Sequence, residues 1–280
     1  MPELDVLIPT YSRLTALAAT LACIACQSLP GFRVIVSDQT EAFDVTAAPE
    51  VGALVRLLRA RGHDMELHRH LPRRGIAEQR DFLLGRARAP YACFLDDDVL
   101  LEPHVLVSLL RLIRRERCGF VGSAVIGLGY VDDHRPAEEL IELWDGPVEP
   151  ERIDPGSREW ARHRLHNAAN LYHVQQRLGL RPGDEHAYKV AWVGGCVMYD
   201  VAALRACGGF AFWSQLPPEH VGEDVLAQLR VMERFGGCGM IPSGAYHQEL
   251  STTLADRTTD APWVLGRPPA HQEPPLVPKP

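Results

Sequence analysis

Over its first 120 residues the chain alternates between short apolar runs and longer amphipathic ones. "LDVLI" (4–8), "FRVIVSD" (32–38), "MELHRHL" (65–71), "YACFLD" (91–96) and "CGFVGSAVIGL" (118–128) read as strands. Between them, "SRLTALAATLACIACQSL" (12–29), "PEVGALVRLLRARG" (49–62), "GIAEQRDFLLGRA" (75–87) and "EPHVLVSLLRLIRRE" (102–116) read as helices. Ser12 suits an N-cap, Gly62 a C-cap, and Glu102-Pro103 a helix start. Continuously apolar strands separated by helices predict an α/β fold, a mostly parallel sheet covered on both faces. In such a sheet the ligand lies beyond the carboxyl ends of the strands. Thr10, Tyr11 and Arg13 follow the first strand there, Asp38 ends the second, and Asp96, Asp97 and Asp98 end the fourth.

The alternation breaks after residue 130. An acidic, irregular stretch (130–156) precedes an expected helix at 157–180. "AYKVAWVGGCVMYDVAALRACGGF" (187–210) reads as a strand, a Gly-Gly pair and a short helix. "GEDVLAQLRVMERFGG" (222–237) reads as a helix with Glu223 and Asp224 in its first turn, and "CGMIP" (238–242) as a strand leading to His247. From Pro262 to Pro280 there are seven prolines in nineteen residues, which predicts a mobile tail. The expected organisation is one domain in two halves, 1–128 and 129–250, with an insert at 130–186 and a flexible tail at 251–280.

Composition narrows the partners. The formal net charge is -7 and no Lys/Arg block stands out, so a nucleic-acid partner has no electrostatic support. The basic residues are nearly all Arg, with only Lys189 and Lys279 as lysines. Met1-Pro2-Glu3-Leu4-Asp5 lacks the basic start of a secretory leader. The longest uncharged run, 14–32, contains Thr, Gln, Ser and Pro-Gly and suits a buried helix better than a membrane span. Seven cysteines, an odd number in mostly apolar surroundings, read as reduced core residues, and Cys23-x-x-Cys26 has no second pair to complete a zinc site. The expectation is a cytoplasmic protein whose membrane association, if any, is peripheral.

Three carboxylates ending a hydrophobic strand invite a chemical reading. Asp96 and Asp98, one residue apart, are able to face one side and hold a hard divalent cation, Mg2+ or Mn2+, together with substrate phosphates. The plainer reading is a solvated acidic turn with a helix cap. His247 either completes the metal shell from the far end of the chain or is incidental. Glu223 and Asp224 either cap their helix and complement its dipole or supply a general base.

In order and spacing these pieces resemble the inverting glycosyltransferases of family 2, over roughly residues 3 to 250. "DVLIPTYSR" is similar to that family's first strand and turn, with Pro9, Tyr11 and Arg13 on it, and "VIVSDQT" to its second strand, where Asp38 takes the base-contacting position. "RRGIAEQRDFLLGRARAPYACFLDDDV" (73–99) resembles its glycine, helix and D-x-D strand. "WVGGCVMYDVAALRACGGF" (192–210) resembles its acceptor-side segment, and "GEDVLAQLR" (222–230) its Glu-Asp motif. The resemblance implies a GT-A fold, Rossmann-like with a C-terminal acceptor-side region. It also implies a nucleoside diphosphate sugar donor, UDP-sugar favoured, and a carbohydrate or other hydroxyl acceptor. Asp96 and Asp97 would lie at the donor, and Asp96, Asp98 and His247 at the metal. Asp224, beside Glu223, would be the base. Arg13, Arg74 and Arg80 become candidates for phosphate or base contacts. Trp192, Gly194 and Gly195 become candidates for the floor under sugar and acceptor, with a buried core Trp as the alternative. The irregular 130–156 stretch is expected to act as a lid that orders on donor binding. Rival readings are a retaining enzyme of the same fold, a sugar nucleotidyltransferase and a catalytically silent sugar-nucleotide-binding protein. The nucleotidyltransferase would want a glycine-rich loop after the first strand, where "IPTYSRLTAL" has no glycine.

Overall fold

The computed structural model describes residues 2–254 and 256–266. Most of the proline-rich run expected as a mobile tail, 267–280, lies outside the described residues. Strands β1 (Leu4–Thr10), β2 (Arg33–Asp38), β3 (Asp64–Arg69) and β4 (Tyr91–Leu95) are mutually parallel. Helices α1 (Leu14–Ala25), α2 (Pro49–Ala60) and α3 (Ile76–Arg86) connect them. A short β5 (Val99–Leu101), α4 (Val105–Glu116) and β6 (Phe120–Gly122) follow, and then α5 (Asn170–Leu178), β7 (His186–Tyr188), β8 (Cys196–Asp200) and α6 (Val201–Ala206). The described chain ends with α7 (Glu223–Phe235), β9 (Gly237–Ile241), β10 (Ala245–His247) and α8 (Ala261–Leu265). The main sheet runs β3-β2-β1-β4-β8-β6-β9-β7, with β8 antiparallel between β4 and β6 and β7 antiparallel at the edge.

Two cores follow from the side-chain alternation of the strands. Val6, Ile8, Cys93, Leu95, Cys196 and Met198 pack on the face covered by α1, α2 and α4. Leu7, Ala92, Phe94, Val197 and Tyr199 pack on the other, under α3, α5, α6 and α7. Because both faces are buried, the strands read as continuous apolar runs. All seven cysteines are free. Among the described residues no helix is long and apolar enough to cross a membrane.

Several elements differ from the sequence expectation for local reasons. The strand expected at 118–128 stays in the sheet only over β6; beyond it, Ile126 leaves to bridge Tyr246 of β10. The helix expected at 157–180 divides into a 3₁₀ stretch (Glu159–His166) and α5. At the break Ala168 is left-handed (φ 50°), and Asn167 and Asn170 donate to Glu138 Oε2 at 3.0 and 3.2 Å. Side chains that find partners outside the helix compete with its ladder. Ser12 is not an N-cap: it is left-handed (φ 56°), and its N–H donates to Thr40 Oγ1 at 2.8 Å.

The insert is tied to the domain. Leu143 bridges Tyr188, Trp144 N–H donates to Ala187 O at 3.0 Å, and Glu151 N–H donates to Met232 O at 3.2 Å. The start of the expected tail is also placed: Asp260 bridges Val221, and Ala261 is fully buried against the second core.

One ion pair anchors the amino ends of β1 and β2. Buried Asp5 receives Arg33 through Nε at 2.9 Å and Nη2 at 2.7 Å, and accepts the Arg88 and Ala89 N–H groups at 2.6 and 2.9 Å. Burial works to raise the Asp5 carboxyl, but these hydrogen bonds outweigh it and hold it below its ordinary value. Its stabilising contribution is therefore complete above the unfolded carboxylate range and disappears as pH falls through the lowered folded value. Asp5→Asn should cost about 3 kcal/mol in urea denaturation at pH 7. It should also flatten the acid limb of the stability curve below about pH 4 relative to wild type.

Candidate active site

The carboxyl ends of β1, β2 and β4 are drawn together by α3. Gln79 Nε2 donates to Thr10 O at 3.1 Å and to Ser37 O at 2.6 Å, fastening β1 to β2 where they finish. After Thr10, left-handed Ser12 is followed by Arg13, whose guanidinium reaches the turn that ends β4. That turn is Asp96–Asp97–Asp98, and it enters β5, which pairs antiparallel with β10 in a register that sets His247 opposite Val99. The ribbon thus delivers His247 beside Asp98. From the opposite wall comes α7, opened by Gly222 in the left-handed region (φ 75°); a Cβ there would meet Asp260 Oδ1 at 2.3 Å.

The three aspartates do different things. Asp97 turns inward, accepting Thr10 Oγ1 at 2.6 Å and Arg13 Nη1 at 3.3 Å. Asp98 takes the same Arg13 nitrogen and lies 3.6 Å from His247 Nε2. Asp96 is the most exposed, its side chain 38% accessible, and accepts Arg80 Nη2 at 2.9 Å. Arg80 is buried; its Nε donates to Glu223 Oε1 at 2.9 Å, and its plane lies 5.6 Å from the Phe94 ring centre. Asp224, half-buried at the wall in the first turn of α7, accepts the Val225 N–H at 2.8 Å.

These groups line an open cleft of about 290 Å³ that holds five carboxylates (Asp96, Asp97, Asp98, Glu223, Asp224) against three guanidiniums (Arg13, Arg80, Arg257). The imbalance is visible in the acids. Burial, with Asp98 and Asp96 adding to it, pushes Asp97 up to about 7 against the Thr10 hydrogen bond and Arg13. Burial and the Glu223 charge push Asp224 up to about 7 against Arg80. Burial works to lower Arg80, but Asp96, Glu223 and Asp224 outweigh it and hold the guanidinium charged. Surplus negative charge on hard oxygen donors fits Mg2+ or Mn2+. Asp96, Asp98 and His247 do not bring three ligand atoms within 4.8 Å of one another. His247 Nδ1 accepts the Glu249 N–H at 2.8 Å, so the neutral ring carries its proton on Nε2, facing Asp98.

The sequence profile of glycosyl transferase family 2 matches residues 5–170. The chain belongs to this family. A comparison with curated proteins returned no match. Among solved structures, the mannosyltransferase PcManGT from Pyrobaculum calidifontis, in complex with GDP-Man and Mn2+, aligns at a TM-score of 0.57 and 15% identity, over 90% of this chain and 59% of that one. S. aureus TarS 1-349 in complex with UDP-GlcNAc aligns at 0.53 and 15% identity, over 91% and 60%. A longer S. aureus TarS chain aligns at 0.50 and 16%, over 88% and 36%. The family member described here therefore spans between about a third and three fifths of those chains, and shares with them the GT-A fold.

Ten of the residues singled out in the sequence share the cleft: Pro9, Tyr11 and Arg13 after β1, Arg80 on α3, Asp96, Asp97 and Asp98, Glu223 and Asp224, and His247. Five others do not line it. Asp38 is fully buried; its Oδ1 accepts the Thr40 N–H at 2.8 Å and its Oδ2 has no partner. Arg74 is exposed, and it is Arg73 whose guanidinium lies 4.2 Å from the Tyr11 ring centre. Trp192 packs on Trp160 at 4.4 Å and on His163 at 4.7 Å between ring centres. Gly194 is exposed, while Gly195 O accepts the Asp96 N–H at 2.8 Å. No residue of 130–186 lines the cleft; its remaining wall comes from Thr252, Thr253, Leu254 and Arg257. The polar "STTLADRTTD" (251–260) contains none of the prolines that marked the tail, which was the available signal.

Arg80→Met leaves Glu223 buried without its cation and should cost about 3–5 kcal/mol in denaturant titration. Adding Glu223→Gln should return part of that loss. If the losses of Arg80→Met and of Glu223→Gln alone simply add in the double variant, the two side chains are not coupled.

Proposed function

We propose that this chain transfers a sugar from a nucleoside diphosphate sugar to an acceptor hydroxyl with inversion, using Asp224 as general base. The observation that carries the reading is the placement of Asp224 in the first turn of α7, facing the Asp96–Asp98 turn across one cleft, with its carboxyl raised to about 7. A base whose proton affinity sits near neutral pH is matched to accepting a hydroxyl proton. The fold and the family support this assignment. The sugar nucleotides carried by the two relatives support a donor of that class.

The protein's own groups divide the tasks. Arg80 holds Asp96 and Glu223 in fixed orientation, so that Asp96 meets the donor sugar or ribose and Asp224 meets the acceptor. Asp38, fully buried with its Oδ2 unpartnered, would meet the base only once the wall covering it opens. Arg13 and Arg257 lie where phosphate oxygens would need cations. A bound Mg2+ or Mn2+, held by Asp98 with Asp96 and His247 beside it, would offset charge on the leaving diphosphate. On this reading residues 1–128 hold the donor and 129–250 the acceptor, a carbohydrate or other hydroxyl compound. The Trp192–Trp160 pair, together with Trp263 6.2 Å from Trp160, offers an aromatic surface on the acceptor side.

A thermal-shift panel of UDP, GDP, dTDP and CDP, each with and without Mn2+, tests the donor site. One nucleotide should raise the midpoint in a metal-dependent way, with UDP favoured, and Asp98→Ala should abolish the shift. No shift with any nucleotide would overturn the donor assignment. Once a donor is found, Asp224→Asn should lower kcat by about 10²–10⁴-fold with donor affinity retained. Wild-type kcat should fall as pH drops below about 7, because a protonated Asp224 cannot accept the hydroxyl proton. An unchanged acid limb in Asp224→Asn would remove Asp224 as the base.

A further inference from the structure

Away from the cleft, where the insert begins, His134, Glu139 and His173 converge: one ligand atom from each lies within 4.8 Å of the other two. His173, on α5, is nine-tenths buried. Its Nε2 is 2.8 Å from Val131 O. A carbonyl only accepts, so Nε2 carries a proton. In the neutral ring Nδ1 is then a bare lone pair. That atom is buried with no hydrogen-bond partner, yet it lies 3.4 Å from Glu139 Oε1. An imidazole lone pair facing a carboxylate is unfavourable unless a positive charge lies between them.

The surroundings match those of a metal ligand set. Ligating histidines donate their other ring N–H to a carbonyl or carboxylate, and ligating carboxylates are themselves hydrogen-bonded. His173 does the first through Val131 O. Glu139 does the second: its Oε2 accepts Arg177 Nη1 at 2.6 Å, and its main-chain O accepts Arg177 Nη2 at 3.2 Å. His134 is exposed and stacks on His173, ring centres 4.2 Å apart, with one ring nitrogen within 4.8 Å of the other two ligand atoms. Two imidazoles and one carboxylate select Zn2+ over Mg2+ or Mn2+, unlike the all-oxygen aspartate turn of the cleft. We propose that His134, Glu139 and His173 bind one Zn2+-class ion that clamps the 131–139 segment onto α5.

The test titrates the untagged, EDTA-treated full chain with Co2+, whose visible absorption reports tetrahedral nitrogen–oxygen coordination, and then displaces it with Zn2+. One equivalent should bind, and it should persist in Asp98→Asn. His134→Ala, which alters only an exposed side chain and should keep the wild-type circular dichroism, should weaken binding by at least about tenfold. Three results overturn the proposal. Absence of saturable Co2+ absorption would mean a His173 imidazolium–Glu139 pair with no metal. Binding unchanged in His134→Ala would place the ion elsewhere, for instance at Cys23 and Cys26. Binding lost in Asp98→Asn would assign it to the cleft.

Discussion

A single buried guanidinium joins the elements that line the cleft from both halves of the chain. Arg80 comes from α3 in the first half of the chain, Asp96 from the end of β4, and Glu223 from the start of α7 in the second half. The two halves share one sheet through the β4–β8, β6–β8 and β6–β9 pairings. Those pairings align backbones and do not set the angle at which α7 presents its first turn. Arg80 does so, because a cation this deeply buried must keep both acids within hydrogen-bonding reach. Asp224 follows Glu223 directly in the chain, so the same contact that neutralises Glu223 positions its neighbour at the wall.

The aspartate turn works by a related logic. Its middle residue, Asp97, faces the protein and is locked by Thr10 and Arg13, with its main-chain O accepting Thr20 Oγ1 at 2.9 Å. Its neighbours are thereby left at the cleft. The cost appears as the raised proton affinity of Asp97, which comes first from its burial and then from the charges of Asp98 and Asp96. Arg13 offsets part of that charge while bridging Asp97 and Asp98, and its Nη2 donates to Ser251 O at 2.6 Å. The same side chain thus couples the aspartate turn to the segment that closes the cleft. Any cation approaching Asp98 would compete with Arg13, so cation binding there would be linked to the position of Ser251 through one guanidinium.

The parallel half was legible because its signals are local. β1, β2 and β4 are runs buried on both faces, β3 is the more polar edge strand, each crossover is a helix, and the strand ends are marked by Asp38 and Asp96–Asp98. What escaped were contacts made by very short elements. β5 and β10 have three residues each, too few to show a period, yet their register brings His247 to Asp98. The division of the 157–180 helix likewise depends on Asn167 and Asn170 finding Glu138, a tertiary contact with no local signature. Trp192 illustrates the converse. Its residue type suited either a sugar platform or a packed aromatic, and its neighbours Trp160 and His163, supplied by the insert, were needed to see that it is part of a cluster.

The insert's two ends have different anchors. Residues 141–153 are stitched by main-chain hydrogen bonds to β7 and α7. Such bonds are made once the sheet forms. The 131–139 end has few of them and instead converges on α5 through side chains: Glu138 to Asn167 and Asn170, Glu139 to Arg177, and His134 on His173. Just upstream, Gly129 N–H donates to Glu249 Oε1 at 2.6 Å, two residues beyond His247. The 127–131 turn beside His247 is held there and by Gly127 N–H to Ala168 O at 3.1 Å, and the 131–139 segment continues from it. Charge-bearing side chains without a sheet behind them provide weak restraint in water. An ion at His134, Glu139 and His173 would replace that restraint with coordinate bonds, fixing the 131–139 segment on α5 independently of any cation in the cleft.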